Sequence, residues 1–352
     1  MRLQGYADPG AGLRLHLNEN TGGCSPLVLD GLARLTAGEI SSYPSYERLV
    51  RACAEHFDVD PEWVLLTNGL DEGLLMTAVA HVARERTAGA ETIVPLPAFA
   101  PYPNSSNAVG ATIVRVQPGP GFAFPTEGVL AAITPRTRLV FLNTPNNPTG
   151  QLIALDDLQR IAAAAPQAVV VIDEAYIEFG GTSFLPRLAS WPNVIVGRTF
   201  SKAYGLAGMR VGVLICQPPV LDPVRAVTLP FNINAAALAA ASAALEDRAF
   251  LSRYAASVSA SRARIYDACR RLGLEYWESA GNYVLVRVGS GVAAGRQACT
   301  VVAAMAARGV HVKDLSRDPV TAGCIRITAG PVAHTDFALG ALQAAIAERP
   351  TS

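Results

Sequence analysis

From about residue 60 the chain alternates short apolar runs with stretches of helical spacing. Seven runs read as strands: VLLT (64 to 67), TIVP (92 to 95), TIVRV (112 to 116), RLVFLN (138 to 143), AVVVID (168 to 173), NVIVGRTF (193 to 200) and GMRVGVLIC (208 to 216). They are rich in β-branched residues and are nearly continuous in hydrophobicity, the pattern of strands covered on both faces. Between them, DEGLLMTAVAHVARE and ALDDLQRIAAAA carry a helical period. The alternation predicts an α/β architecture with a mostly parallel, seven-stranded sheet. Ligands of such sheets bind at the carboxyl ends of the strands, so chemistry is sought there.

The pattern changes towards the end of the chain. An Ala-rich helix begins near residue 234, AFLSRYAASVSASRARIYDACRRLG continues helical, and NYVLVRV, GRQACTVVAAMAARG, CIRITA and a last helix from His334 form a smaller α+β unit. SPLVLDGLARL near the start reads as a helix capped by Ser25, with Pro26 at its first position. The expected division is a large domain over 30–245 and a small domain combining 1–29 with 246–352.

With 50% apolar and 16% charged residues among 352, the chain can bury a large core and is not disordered. Its 29 Lys and Arg balance 29 Asp and Glu, and no basic block stands out, so neither nucleic acid nor an anionic membrane is an expected partner. The first twenty residues lack an apolar signal core and INAAALAAASAAL is too short to span a bilayer, which predicts a cytoplasmic protein. Six cysteines without a CxxC pair and five histidines without ligand spacing predict neither disulfide framework nor metal site.

Three polar features close apolar strands: Asn146 and Asn147 in FLNTPNNPTG, Asp173 in VVVIDEAYIEFG, and Lys202 in RTFSKAYGLAGMR. An Asp after four Val and Ile residues is costly to bury as an anion unless a cation meets it. Lys202 is a candidate for that cation, or both residues face one charged ligand. In TNGLDEGLL, Asn68 and Gly69 turn the chain and Asp71 begins a helix, a place for an anion. Taken singly, each reads as a solvated loop residue or an Asx turn. Together they are the groups a pyridoxal 5'-phosphate site needs. An amine takes the aldehyde, a carboxylate meets the protonated ring nitrogen, a donor holds the phenolic oxygen, and hydroxyls, an Arg and helix N–H groups hold the phosphate.

Over nearly its whole length the chain resembles the fold type I pyridoxal-phosphate aminotransferases, with their aspartate aminotransferase-like fold, and within them the histidinol-phosphate aminotransferase group. LNEN, YPSYERL, TNGLDEGL, NTPNNPTG, VVIDEAYIEF, RTFSKAYGLAGMRVG, PFNIN and GCIRITAG carry the resemblance in the family's order. It implies that Lys202 holds the cofactor's aldehyde and shuttles the proton, its proton affinity lowered by Arg210 and by the cofactor's ring nitrogen. Asp173 would pair with that nitrogen, Asn147 and Tyr176 would hold the phenolic oxygen, and Phe99 would stack on the ring. Ser201, Arg210 and the backbone at Asp71 and Glu72 would bind the phosphate. Tyr43 would reach it from a neighbouring subunit, which implies a homodimer. Arg326 would clamp the substrate's α-carboxylate, Asn18 and Lys313 would line the substrate side, and Tyr6 would close over it.

The substrate side departs from the group. ENTGG stands where ENPYG is common, and Lys313, thirteen residues before Arg326, stands where an Arg helps bind the substrate phosphate. The implied reaction is amino transfer from L-histidinol phosphate to 2-oxoglutarate in histidine biosynthesis. An aminotransferase for aromatic or other amino acids, or a threonine-phosphate decarboxylase-like enzyme, stays open. A nicotinamide dehydrogenase is disfavoured because Gly289, Gly291 and Gly295 miss the G-x-G-x-x-G spacing by one residue. A non-catalytic relative is disfavoured because both Lys202 and Asp173 stand.

Overall fold

The computed structural model describes residues 10–83 and 89–348. Twelve strands run in the order β1 (Leu13–Leu15), β2 (Val64–Thr67), β3 (Glu91–Pro95), β4 (Thr112–Val116), β5 (Thr137–Asn143), β6 (Val169–Asp173), β7 (Val194–Thr199), β8 (Gly212–Ile215), β9 (Glu275–Trp277), β10 (Tyr283–Arg287), β11 (Val310–Asp314) and β12 (Cys324–Thr328). The seven runs identified in the sequence are the seven strands of one sheet, ordered β2-β8-β7-β6-β5-β3-β4. All its neighbours pair in parallel except those of β8, which runs against both β2 and β7. The fold is the α/β architecture expected from the alternation of elements.

Central strands β6 and β7 are buried at every position, which explains why they read as apolar runs without alternation. Edge strand β4, where Thr112 and Arg115 are exposed, is the most exposed of the set. Strand β8 is shorter than GMRVGVLIC suggests. Ala207–Met209 form a 3₁₀ turn and Arg210 takes a left-handed backbone, φ 56°, so the ladder starts at Gly212. Helix Leu70–Ala78 passes into a π turn over Val79–Ala83. Ser25 caps helix Pro26–Ala33 by accepting from the Leu27 N–H, with Pro26 at the first position.

A second sheet, ordered β1-β11-β12-β10-β9, joins the start of the chain to its end. Strand β1 lies parallel to β11, and the other pairs are antiparallel. Helices Arg248–Leu272 and Val332–Ala347 pack on each other, and Ala294–Ala306 packs on β11. The division expected at residue 30 falls inside helix Pro26–Ala33, which lies against helix Ala235–Glu246. Among the described residues no helix is long and apolar enough to cross a membrane.

Candidate active site

Parallel pairing brings the ends of β5, β6 and β7 into one row, with Asn143 opposite Asp173 and Asp173 opposite Gly197. The Thr144 N–H donates to the Asp173 carbonyl at 3.0 Å and the Glu174 N–H to that of Gly197 at 2.9 Å, extending the row past the strands. Antiparallel β8 begins at the same edge, where Gly212 pairs with both Thr67 and Thr199. Three distant connections therefore meet here: the turn before helix Leu70–Ala78, the Lys202 segment, and the Arg210 turn.

Asp173 is 2% exposed. Its Oδ2 accepts from the Tyr102 hydroxyl at 2.7 Å and its Oδ1 from the Ala175 N–H at 2.9 Å. Burial pushes the carboxyl up to about 6, and these two bonds oppose the rise. Lys202 Nζ donates to the Leu17 carbonyl at 2.8 Å and stands 5.8 Å from the centre of the Tyr176 ring. Burial first and Arg326 second pull the amine down to about 8, with Arg210 a smaller contributor and Asp71 and Glu19 opposing. Arg326 thus does more than Arg210, the residue expected to act.

Around the start of helix Leu70–Ala78 the backbone approaches too closely for side chains. A Cβ at Gly69, φ 77°, would lie 2.2 Å from Arg210 Nη2, and one at Gly212 would lie 2.4 Å from the Leu70 nitrogen. The Arg210 guanidinium donates to Ser201 Oγ at 3.2 Å and pairs with Asp71 at 3.1 Å. A hydroxyl, a guanidinium and the first-turn N–H groups, which a helix leaves without internal partners, converge on one space. That is a cradle for a phosphate.

Asn147 is fixed at both ends. Its N–H donates to Asn143 Oδ1 at 2.6 Å, and its Oδ1 accepts from the Arg326 guanidinium. Tyr176 is buried, with its hydroxyl accepting from Asn18 Nδ2 at 3.1 Å, and burial pushes its phenol up to about 12. Arg326 on β12 stands opposite Lys313 on β11 and also donates to the His16 carbonyl at 2.8 Å. Its guanidinium lies 5.3 Å from the centre of the Tyr283 ring. Burial, and then Arg326, lower the Lys313 amine.

A cleft of ≈ 530 Å³ gathers Lys202, Tyr176, Asn147, Phe99, Ser201, Arg210, Asp71, Arg326 and Lys313. Asp173 lines its inner end, a recess of ≈ 80 Å³. Other residues singled out in the sequence lie elsewhere. Asn18 is fully buried, and its side chain is engaged with Tyr176 and Thr328 rather than lining the cleft. The Glu72 backbone, the part expected to act, is in the first turn of helix Leu70–Ala78, while its carboxylate accepts from the Asn68 N–H and from Asn232 Nδ2, both at 2.6 Å. Tyr43 is 80% exposed and stacks on Phe231 at 4.3 Å, outside the cleft lining. Tyr6 lies outside the described residues.

Sequence reading passed over Tyr102, Asn143 and His16. Tyr102 follows Phe99 by three residues in LPAFAPY, at the start of helix Pro101–Ala108, and that spacing was the available signal. It also passed over a second charged cluster one residue from Asp173. Glu174 accepts from Arg198 at 3.3 Å, from Ser183 Oγ and the Phe184 N–H, each at 2.6 Å, while Arg198 pairs with Glu178 at 2.5 Å.

The model of the aminotransferase class I and II family matches residues 12–342. The chain is 38% identical over 316 residues to histidinol-phosphate aminotransferase 2 of Pseudomonas aeruginosa, covering 88% of this chain and 82% of that one. It is 39% identical over 328 residues to histidinol-phosphate aminotransferase 2 of Ralstonia nicotianae, covering 91% and 83%. Among solved structures, the histidinol-phosphate aminotransferase of Sinorhizobium meliloti in complex with pyridoxal-5'-phosphate superposes with a TM-score of 0.85 at 29% identity, over 98% of this chain and 96% of that one. With a match that spans both sheets and every residue lining the cleft, this chain belongs to the class I and II aminotransferases.

Proposed function

We propose that this chain is a pyridoxal-phosphate-dependent aminotransferase that moves the amino group of L-histidinol phosphate to 2-oxoglutarate, in histidine biosynthesis. The observation that carries the reading is a half-buried Lys202 amine and a buried Asp173 carboxyl, with which no cation pairs among the described residues, lining one recess. The names of the relatives at 38% and 39% identity support the substrate.

The residues fit the cofactor. Ser201, Arg210 and the N–H groups at the start of helix Leu70–Ala78 would hold its phosphate in the cradle that Gly69 and Gly212 keep open. Asp173 would meet the ring nitrogen, Asn147 and Tyr176 the phenolic oxygen, and Phe99 one ring face. When bound, pyridoxal phosphate supplies an aldehyde to carry the amino group and a ring that draws electrons from the substrate's α-carbon. Lys202, kept partly neutral near physiological pH by its burial, moves the proton at that carbon. Arg326 orients the substrate through the anionic group of donor or acceptor, and Lys313 on the adjacent strand adds a second cation, which suits a phosphate ester.

The working form is a cytoplasmic homodimer in which the exposed Tyr43 of one subunit completes the phosphate site of the other. Residues 30–245 act as the cofactor-binding domain, and 1–29 with 246–352 as the smaller one. The test is to record the visible spectrum of the purified protein with pyridoxal phosphate and add amino donors singly. Bleaching with L-histidinol phosphate but not with Phe or Tyr is expected; bleaching by aromatic amino acids alone would overturn the substrate.

A further inference from the structure

The donor that fixes Asp173 comes from outside the cleft. Tyr102 is 2% exposed and lines a small recess of mixed polarity separate from the cleft, where its ring stacks on Phe141 at 4.9 Å. It also meets Phe99 edge-on at 5.7 Å. Its backbone is held in turn: the Tyr102 N–H donates to the Phe99 carbonyl at 3.1 Å, and Ser106 Oγ donates to the Tyr102 carbonyl at 2.9 Å. Among the described residues, the Asp173 carboxylate accepts from two groups only, the Tyr102 hydroxyl and the Ala175 N–H, one on each oxygen. Asn143 Nδ2, close by, is engaged with the Asp173 backbone carbonyl at 3.1 Å.

We propose that Tyr102 is a positioning residue for amino transfer, holding the Asp173 carboxylate ionised and correctly turned toward the cofactor's ring nitrogen while supporting Phe99 against the ring. This rests on the pyridoxal-phosphate reading of the cleft. Packing alone accounts for an aromatic ring between Phe141 and Phe99, and a Phe would serve. The hydroxyl is what packing does not explain. It is buried beside a carboxylate, where a charge-assisted bond favours the anion.

The charges facing Asp173 make that bond necessary. Burial first, then Asp71 at the helix start and Glu174, the next residue in the chain, push the carboxyl towards its neutral form. The buried phenols of Tyr176 and Tyr283 lie near it, and the cations lining the recess are Lys202 and Arg210. Tyr102 itself stays a neutral donor, since burial and then Asp173 raise its phenol far above the usual range. Without the hydroxyl a single backbone N–H would oppose burial and two like charges.

The experiment compares wild type, Tyr102→Phe and Phe141→Leu as full-length protein, cofactor-free, titrated with pyridoxal phosphate across a series of pH values. Turnover is then measured on the loaded enzymes. Wild type is expected to bind, with affinity falling in two steps as the pH drops, first through about 8 as the Lys202 amine charges and then as Asp173 takes up a proton, the second step being the acid midpoint compared. In Tyr102→Phe, affinity falls about tenfold and the acid midpoint moves up by about one pH unit, the size expected for one charge-assisted bond. In the same variant kcat drops while KM for the amino donor stays within about twofold. Phe141→Leu disturbs the packing behind the ring and leaves the midpoint in place. An unchanged affinity and midpoint in Tyr102→Phe, a change confined to its melting temperature, or an equal midpoint shift in Phe141→Leu would each overturn the role of Tyr102 alone. Failure of the wild type to bind pyridoxal phosphate would overturn the cofactor reading and the inference with it.

Discussion

Asp173 and Glu174 are consecutive, both buried, and handled in opposite ways. Glu174 is met by Arg198, a hydroxyl and a backbone N–H, and Arg198 is shared with Glu178. Asp173 receives a hydroxyl and one N–H, and among the described residues no cation pairs with it. The same contrast recurs at the next strand, where Arg198 holds two carboxylates while Lys202, past its end, bonds only a carbonyl oxygen among the described residues. A buried charge paired with an opposite one belongs to the fold, whereas one left short of counter-charge is a place where something else can bind. Asp173 and Glu174 are separated as neighbours at a strand end, whose side chains leave opposite faces, and Lys202 by lying past the end of β7 at Thr199.

The largest expected effect is on Lys202. Lys202→Ala should cut turnover by on the order of 10²–10⁴-fold or more, the range for loss of an acid–base group. Cofactor-free protein carrying it should melt no lower than wild type. An amine whose folded pKa lies below its unfolded one costs stability below about 8, and that cost fades as the pH rises towards the unfolded value. A drop of several degrees in a thermal melt would mean the amine is structural after all.

Arg198→Met tests the other side. It leaves Glu174 and Glu178 buried without their cation and should cost about 3–5 kcal/mol in denaturant unfolding. The fraction that folds should still bind cofactor and turn over. Lost activity at undiminished stability would erase the distinction between the two charge sets.

The smallest effect is one of pH. Only the neutral amine attacks an aldehyde, so the rate at which cofactor-free protein captures pyridoxal phosphate should rise as the pH climbs through about 8. At pH 6 it should be roughly 100-fold below the plateau, by the two-unit distance from that pKa. Stopped-flow capture that is flat between pH 6 and 8 would show an amine that burial has not shifted.

Most of this was legible in residue order. The cofactor sheet announced itself because its strands are buried on both faces, and a run such as VVVI has few other readings. Lys202, Asp173, Asn147 and Arg210 could be found because each closes such a strand or opens the next. The second sheet was less visible: Leu13–Leu15 and Glu275–Trp277 are three residues each, and VHVKD alternates with charged positions. Asn18, placed on the substrate side by the LNEN resemblance, has a left-handed backbone, φ 56°, and its side chain bonds Tyr176, which itself lines the cleft. Tyr102 was hidden. An aromatic on a short helix reads as packing, and only the tertiary placement of Asp173 gives its hydroxyl a purpose.

Strand β1 is only three residues long, yet it ties two parts of the molecule to one atom. It is laced to β11 on one side, and two residues beyond its end the Leu17 carbonyl grips the Lys202 amine. Any hinge-like displacement of the terminal sheet against the central one would therefore tug on the Lys202 nitrogen. Mechanical opening and the freedom of that nitrogen are geared together through a single peptide oxygen.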